Sequence, residues 1–381
     1  MVANHHSGLV APAVLIATLP RVPRFLAKAV LWNVKYLPLR PLLNGAKAIP
    51  VHRVKDGGGD NDSMFSATHD SLEAGEAIAL FGEGVSHDMP GLLDLKTGAA
   101  RIALGVDGPV AIVPVGLMYD DRARYRSHVN VYVGEVIEVV GSSGGDHDRD
   151  AVVALTSTIT DGLEAVAPSW DTWRQYDDAR IAARLTVAAR PDLAYGQVLT
   201  TLNNAIDGDD AEAAKMCDAV ERFEDEVDRI GIELDVVVDE PREDLENINR
   251  RSLIESVLWW PIVVIGRLLN IVPFLTVRNA AKRQKLNFRA TFKILLGVFV
   301  YPIWWLALGL VIGWLTVPLI GFVVAIIAPP LGYLSARVNG RLRHVRNRLT
   351  VESASDRTYS IEATRACHAC SITNFRAILL A

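Results

Sequence analysis

At 381 residues the chain has room for two or three domains, each large enough to bury its own core. Half of the residues are hydrophobic and the mean hydropathy is positive, high for a soluble protein, with the excess concentrated between residues 253 and 335. The formal net charge of −5 excludes a general nucleic-acid binder, which needs a basic surface, and three cysteines give no disulfide framework and suit a reducing cytosol.

In chain order, residues 1–140 alternate short apolar runs with amphipathic stretches, the rhythm of an α/β domain. Val2-Ala3 reads as the end of a buried strand, which predicts that the domain lacks an upstream strand and helix. The start has no basic segment followed by an apolar run, so no secretory signal is read there. Residues 9–19 predict a helix and 48–51 a strand. After a Gly- and Asp-rich loop at 56–62, residues 63–73 predict a helix, 77–81 a buried strand, 96–105 a helix, and 110–115 and 129–136 two more strands.

Between residues 22 and 43, Phe25, Leu26, Leu31, Trp32 and Tyr36 interleave with Arg24, Lys28, Lys35 and Arg40. Two readings fit: a surface at a lipid headgroup interface, or a core-facing helix with a basic outer face. Gly141-Ser142-Ser143-Gly144-Gly145 reads as a linker. Residues 149–250 have helical periodicity, many alanines and acidic faces, and carry no grouping of chemical residues.

Residues 253–276 are apolar but include Arg267, Pro261 and Pro273, which favours an in-plane or re-entrant helix with Trp259 and Trp260 at the interface. From 291 to 336 the only charge is Lys293, a run about twice the ~20 residues a spanning helix needs. Two passes fit, with a turn at 309–318. Arg278, Lys282, Arg283, Lys285 and Arg289 precede the run, and Arg337, Arg341, Arg343, Arg346 and Arg348 follow it, so both flanks are expected on the cytoplasmic side. The expected organisation is a first domain at 1–140, a helical region at 146–250, a membrane-associated region at 251–336 and a basic, polar cytosolic tail at 337–381.

Four blocks carry the chemistry: Asn4-His5-His6-Ser7-Gly8, Gly45-Ala46-Lys47-Ala48-Ile49-Pro50-Val51-His52-Arg53, Phe81-Gly82-Glu83-Gly84, and Ile112-Val113-Pro114-Val115-Gly116-Leu117. In this order they resemble the glycerophospholipid acyltransferase family. The continuations Val85-Ser86-His87-Asp88 and Leu95-Lys96-Thr97-Gly98 resemble its glycerol-3-phosphate and dihydroxyacetone-phosphate acyltransferases. The resemblance implies a glycerolipid acyltransferase-like α/β sheet flanked by helices, here joined to a helical insert and a C-terminal transmembrane hairpin. It also implies transfer of a fatty acyl chain from acyl-CoA or acyl-carrier protein to a hydroxyl of glycerol-3-phosphate or a related phosphate-bearing acceptor, in phospholipid synthesis, with no cofactor and no metal.

Within that resemblance His5 is the base, since a neutral histidine can take the proton of a weakly acidic hydroxyl. Glu83 completes the catalytic group, on a strand end whose glycines let backbone N–H groups approach a phosphate. Arg53 offers a planar fork for phosphate, and Asn4, Gly82, Gly84, Ser86 and Lys96 complete the expected substrate-binding set. The 112–117 block would help wall the acyl chain, where each buried methylene contributes about 0.8 kcal/mol. Expected partners are a lipid membrane, the acyl donor and the acceptor, with no nucleic acid. The expected location is the cell membrane, with the catalytic domain on its cytoplasmic side.

Two positions depart from the family pattern. Gly82 stands where proline is usual, and Ala11-Pro12 stands where Asp-Pro closes the first block, leaving His5 without its orienting carboxylate. Losing that carboxylate from a histidine-based system costs on the order of 10^4 in turnover. An engineered substitution, a natural pseudoenzyme and an acid supplied from elsewhere each account for Ala11. The reading favoured is a weakened or inactive copy of a real enzyme, and the alternative is a non-catalytic lipid-binding or regulatory membrane protein on the same fold. His87-Asp88 reads as a local turn pair. Cys367-His368-Ala369-Cys370 is half a metal site without a second pair, and no metal is assigned to it.

Overall fold

The computed structural model describes residues 1–32, 40–45, 47–52, 61–122, 127–142, 145–190, 192–208, 211–230 and 250–355. It divides into two compact units. The first comprises Met1–Thr172 together with Lys285–Thr291, and the second comprises Trp173–Gln284 and the residues from Phe292 onward.

The first unit is an α/β sheet flanked by helices. Its strands are β1 (Val2–Ala3), β2 (Arg24–Lys28), β3 (Ile49–Val51), β4 (Ile78–Phe81), β5 (Gly108–Ile112), β6 (Pro114–Tyr119), β7 (Val129–Val133) and β8 (Ile137–Gly141). Its helices are α1 (Val10–Thr18), α2 (Arg40–Gly45), α3 (Asp62–Glu73), α4 (Gly98–Leu104) and α5 (Arg149–Glu164). Six strands form one sheet in the order β3-β2-β4-β1-β6-β7. Every pairing in it is parallel except β6 with the edge strand β7, and β5 pairs separately with β8, antiparallel.

Strand alternation sends neighbouring residues to opposite faces and so builds two cores. Ala3, Phe25, Val115 and Leu117 pack with Ala11 and Leu15 of α1, spaced four apart on one side of that helix. Val2 and Ile112 pack on the other face with Ala99, Ala100 and Ala103 of α4 and Val152 and Ile159 of α5. The chain leaving β1 goes to β2 on one side of the sheet, whereas the chain leaving β4 goes past β1 to β6 on the other. Adjacent strands whose connections diverge open a crevice at their carboxyl ends, where open α/β sheets bind ligands.

Three sequence expectations need correction here. Residues 24–28, read as an interfacial surface or helix, form the inner parallel strand β2. Phe25 enters the core, and the Arg24 guanidinium is held by Ser71 and Glu76, so the charge is satisfied at the sheet margin. The strand expected at 110–115 breaks after Ile112 into β5 and β6, which belong to different sheets. Of the glycines read as a linker, Gly141 and Gly145 are packed: Gly141 ends β8, and a Cβ there would lie 2.4–2.8 Å from the carbonyls of Val106, Ala103 and Leu104.

In the second unit, α6 (Trp173–Ala189), α7 (Tyr195–Asp207) and α8 (Ala211–Ile230) bury Ile181, Val198, Leu199, Leu202, Val220 and Phe223. Three long helices follow: α9 (Arg250–Lys282), α10 (Leu286–Leu315) and α11 (Pro318–Ser355). Each contains a stretch long and apolar enough to cross a membrane, namely Leu258–Lys282, Leu286–Leu315 and Pro318–Asn339. The first is the segment read as lying in the membrane plane, and it forms one continuous helix through Pro261 and Pro273. Large apolar side chains such as Leu310, Trp314 and Phe322 stand exposed, as side chains facing lipid do.

Proline in a helix lacks an N–H and leaves the carbonyl four residues earlier without its usual donor. For Pro273 that carbonyl belongs to Leu269, and the Trp304 indole of α10 donates to it at 2.8 Å. Asn270 alongside donates to the carbonyls of Gly266 and Ala328 and accepts from the Trp305 indole at 2.8 Å. Arg267 donates to Asn339 at 2.8 Å, so its charge has a polar partner on α11.

Candidate functional site

The parallel register sets Val2 opposite Leu80 and Ala3 opposite Phe81. Carried two residues further, it brings His5 beside Glu83 at the β1–β4 divergence. The His5 backbone N–H donates to Glu83 Oε2 at 3.2 Å, and the half-buried imidazole stacks on Phe81 with ring centroids 4.0 Å apart. Glu83 is 1 % exposed, and its Oε1 has no hydrogen-bond partner among the described residues.

Asn4, expected to touch substrate, is fully buried and extends the ladder toward β6. Its Oδ1 accepts from Leu117 N–H at 2.7 Å, and its Nδ2 donates to Leu117 O at 3.1 Å and to His6 Nδ1 at 3.1 Å. An amide side chain can do this because it presents a donor and an acceptor side by side, as a peptide group does.

His87, which the sequence places in a local turn, is a second partner of Glu83. Its Nε2 lies 2.8 Å from Glu83 Oε2, and its Nδ1 accepts from Met89 N–H at 3.2 Å. With Nδ1 accepting, the neutral ring carries its proton on Nε2 and donates it to the carboxylate. Arg122, also not foreseen, donates through Nη1 to the carbonyls of His6 and His87 and to Asp88 Oδ1 at 3.2–3.4 Å. Neither residue announces itself in the sequence, because loop residues that converge from separate strand ends have no periodicity.

His6 packs edge-on to His87 at 4.8 Å. Burial, then the neighbouring His87 and Arg122, push its pKa down to about 3, so its ring is neutral at ordinary pH. Ala11 is 0 % exposed within the apolar cluster of Leu15, Phe25 and Leu117.

Gly84 has φ +71°, a backbone conformation that favours glycine, and so turns the chain sharply after Glu83. A Cβ at Gly82 would lie 2.9 Å from Leu95, so the usual proline is replaced here by a residue that lets Leu95 close in. Lys96 is exposed, and its backbone N–H donates to Gly82 O at 2.8 Å, which sets its side chain alongside Gly84. Ser86 is half-buried, and its carbonyl accepts from Asn287 Nδ2 at 2.8 Å. Arg53, Cys367 and Cys370 lie outside the described residues. Among the described residues no group of three His, Cys, Asp or Glu side chains is placed to hold a metal ion.

The acyltransferase family model matches residues 1–118, the stretch that builds this crevice. The link is at the level of the family. Glycerol-3-phosphate O-acyltransferase 2 of Saccharomyces cerevisiae is 38% identical over 132 residues, which cover 32% of this chain and 18% of that protein. Glycerol-3-phosphate O-acyltransferase 1 of the same yeast is 36% identical over 117 residues, 28% of this chain and 15% of that protein. An uncharacterized acyltransferase of Schizosaccharomyces pombe is 31% identical over 125 residues, 30% of this chain and 18% of that protein. The chain thus spans less than a fifth of the length of these acyltransferase relatives. No solved structure gives a significant match.

Proposed function

We propose that this acyltransferase-like chain moves a fatty acyl group from acyl-CoA or acyl-carrier protein to a hydroxyl of glycerol-3-phosphate or a related phosphate-bearing acceptor. The observation that carries the reading is His5 bonded to Glu83 at the carboxyl ends of adjacent, diverging strands, inside the segment that matches the family. In this reading His5 takes the acceptor hydroxyl proton as the oxygen attacks the thioester carbonyl. The carbon–sulfur bond then breaks, and the proton passes from the imidazolium to the departing thiolate. Glu83 fixes the His5 backbone through Oε2 and offers Oε1 to a substrate hydroxyl. Asn4 holds the strand end that presents His5, and the turn at Gly82–Gly84 with Ser86, Lys96 and Arg53 receives the phosphate.

His5 lacks an aspartate at position 11, so the reaction runs slowly in this chain. Transfer of radiolabelled acyl groups from acyl-CoA to glycerol-3-phosphate tests this, comparing the chain with Ala11→Asp. The expected outcome is a rise of up to about 10^4-fold in the variant. One observation favours a second reading, a non-catalytic lipid-binding or regulatory protein: Ala11 is packed among apolar side chains, where a carboxylate would be costly to bury. No turnover in either chain, with acyl-CoA still bound, supports that second reading and removes the first.

A further inference from the structure

The two turns that carry the proposed catalytic residues are tied together by a segment from far along the chain. Thr291 Oγ1 accepts from Leu9 N–H at 2.9 Å across 282 residues of sequence. Asn287 O accepts from Gly8 N–H at 3.3 Å, and Asn287 Nδ2 donates to Ser86 O at 2.8 Å. Lys285–Thr291, which includes the first turn of α10, therefore bonds both to the turn after His5 and to the turn after Glu83 within the first unit.

A helix start leaves backbone N–H groups without intrahelical acceptors, and Ser, Thr, Asp or Asn at the N-cap usually supplies one. α1 has Leu9 at its N-cap and no capping bond from its own side chain. Thr291, 3 % exposed, supplies the missing acceptor from outside. Gly8 makes the approach possible, because a Cβ there would lie 2.8 Å from Thr291 Oγ1.

We infer that Asn287 and Thr291 are positioning residues for the proposed acyl transfer, holding the His5 turn and the Glu83 turn in one fixed relation. The inference rests on the proposed function and deepens it. A displacement of about 1 Å at a reacting group can cost on the order of a hundredfold in rate, so a bond that fixes both turns acts on turnover more than on substrate affinity.

The test uses the full chain in detergent micelles, with Thr291→Val, Thr291→Ser, Asn287→Leu and Gly8→Ala. Turnover is read in the parent and Ala11→Asp backgrounds, and amide hydrogen exchange at Gly8 and Leu9 is read in all. Thr291→Val keeps the shape and loses the acceptor, so kcat should fall about tenfold with the acceptor KM within about twofold. Leu9 exchange should rise by about tenfold or more. Thr291→Ser restores both readouts, Asn287→Leu frees the Ser86 carbonyl and lowers kcat while the Asn287 backbone carbonyl still holds Gly8, and Gly8→Ala behaves like Thr291→Val. Unchanged kcat and unchanged Leu9 exchange in Thr291→Val overturn the inference, as does a serine variant that fails as badly as valine. If no chain turns over, the proposed function fails, and exchange alone decides the clasp: Leu9 protected in the parent and serine forms but not in valine supports it, and equal protection in all overturns it.

Discussion

His6 shows how tightly the candidate site is built at the scale of single residues. Its Nδ1 accepts from Asn4 Nδ2 at 3.1 Å, so a proton placed there would set donor against donor. Burial first, then His87 and Arg122, hold its pKa at about 3, against about 6.5 for an unfolded histidine. Below pH 6.5 the unfolded chain takes up a proton that the folded chain refuses. The stabilising contribution of the neutral ring is therefore complete above pH 6.5 and declines by about 1.4 kcal/mol per pH unit between there and about pH 3. Thermal midpoints measured from pH 7.5 to 5 should fall less steeply in His6→Gln, and parallel curves would contradict this origin.

The same scale explains which site residues the sequence disclosed. Glu83 and Gly84 were legible because a strand end followed by a required positive φ is local chemistry. His87 and Arg122 were not, since their partners come from other turns of the chain. The structure also gives Asn4 a backbone-like role that residue type alone could not specify, because only the position of Leu117 makes both of its bonds possible.

Among the elements, strands and helices with their own periodicity match closely: α1, β4 and α4 fall within the expected stretches at 9–19, 77–81 and 96–105, and α3 begins one residue before the expected 63–73. β2 escaped because five residues, Arg24-Phe25-Leu26-Ala27-Lys28, resemble an amphipathic surface until Ser71 and Glu76 take the Arg24 charge. α9 posed the opposite problem, with two prolines and an arginine arguing against one continuous helix. The indole of Trp304 supplies the donor that Pro273 cannot, and Asn339 receives Arg267. Removing the indole donor should therefore matter only where the proline is present. Trp304→Phe is expected to cost about 1 kcal/mol in the parent and clearly less in a Pro273→Ala background. Equal losses in the two backgrounds, measured by thermal denaturation in detergent, would show the pairing to be incidental.

For the whole molecule, the three long apolar helices dominate the expected behaviour. A chain that spans the bilayer should stay in the membrane pellet through alkaline carbonate extraction and leave it only with detergent; release by carbonate alone would exclude spanning. The sequence by itself determined the α/β rhythm and the apolar C-terminal stretches, because hydrophobic period and turn chemistry are encoded within short windows. Only the tertiary structure decided that β2 joins the sheet, that Ala11 faces an apolar cluster, that His87 shares Glu83, and that Thr291 caps α1. Each of these depends on which distant backbone comes within hydrogen-bonding or packing distance, and strand order and chain crossing set that proximity rather than any local run of residues.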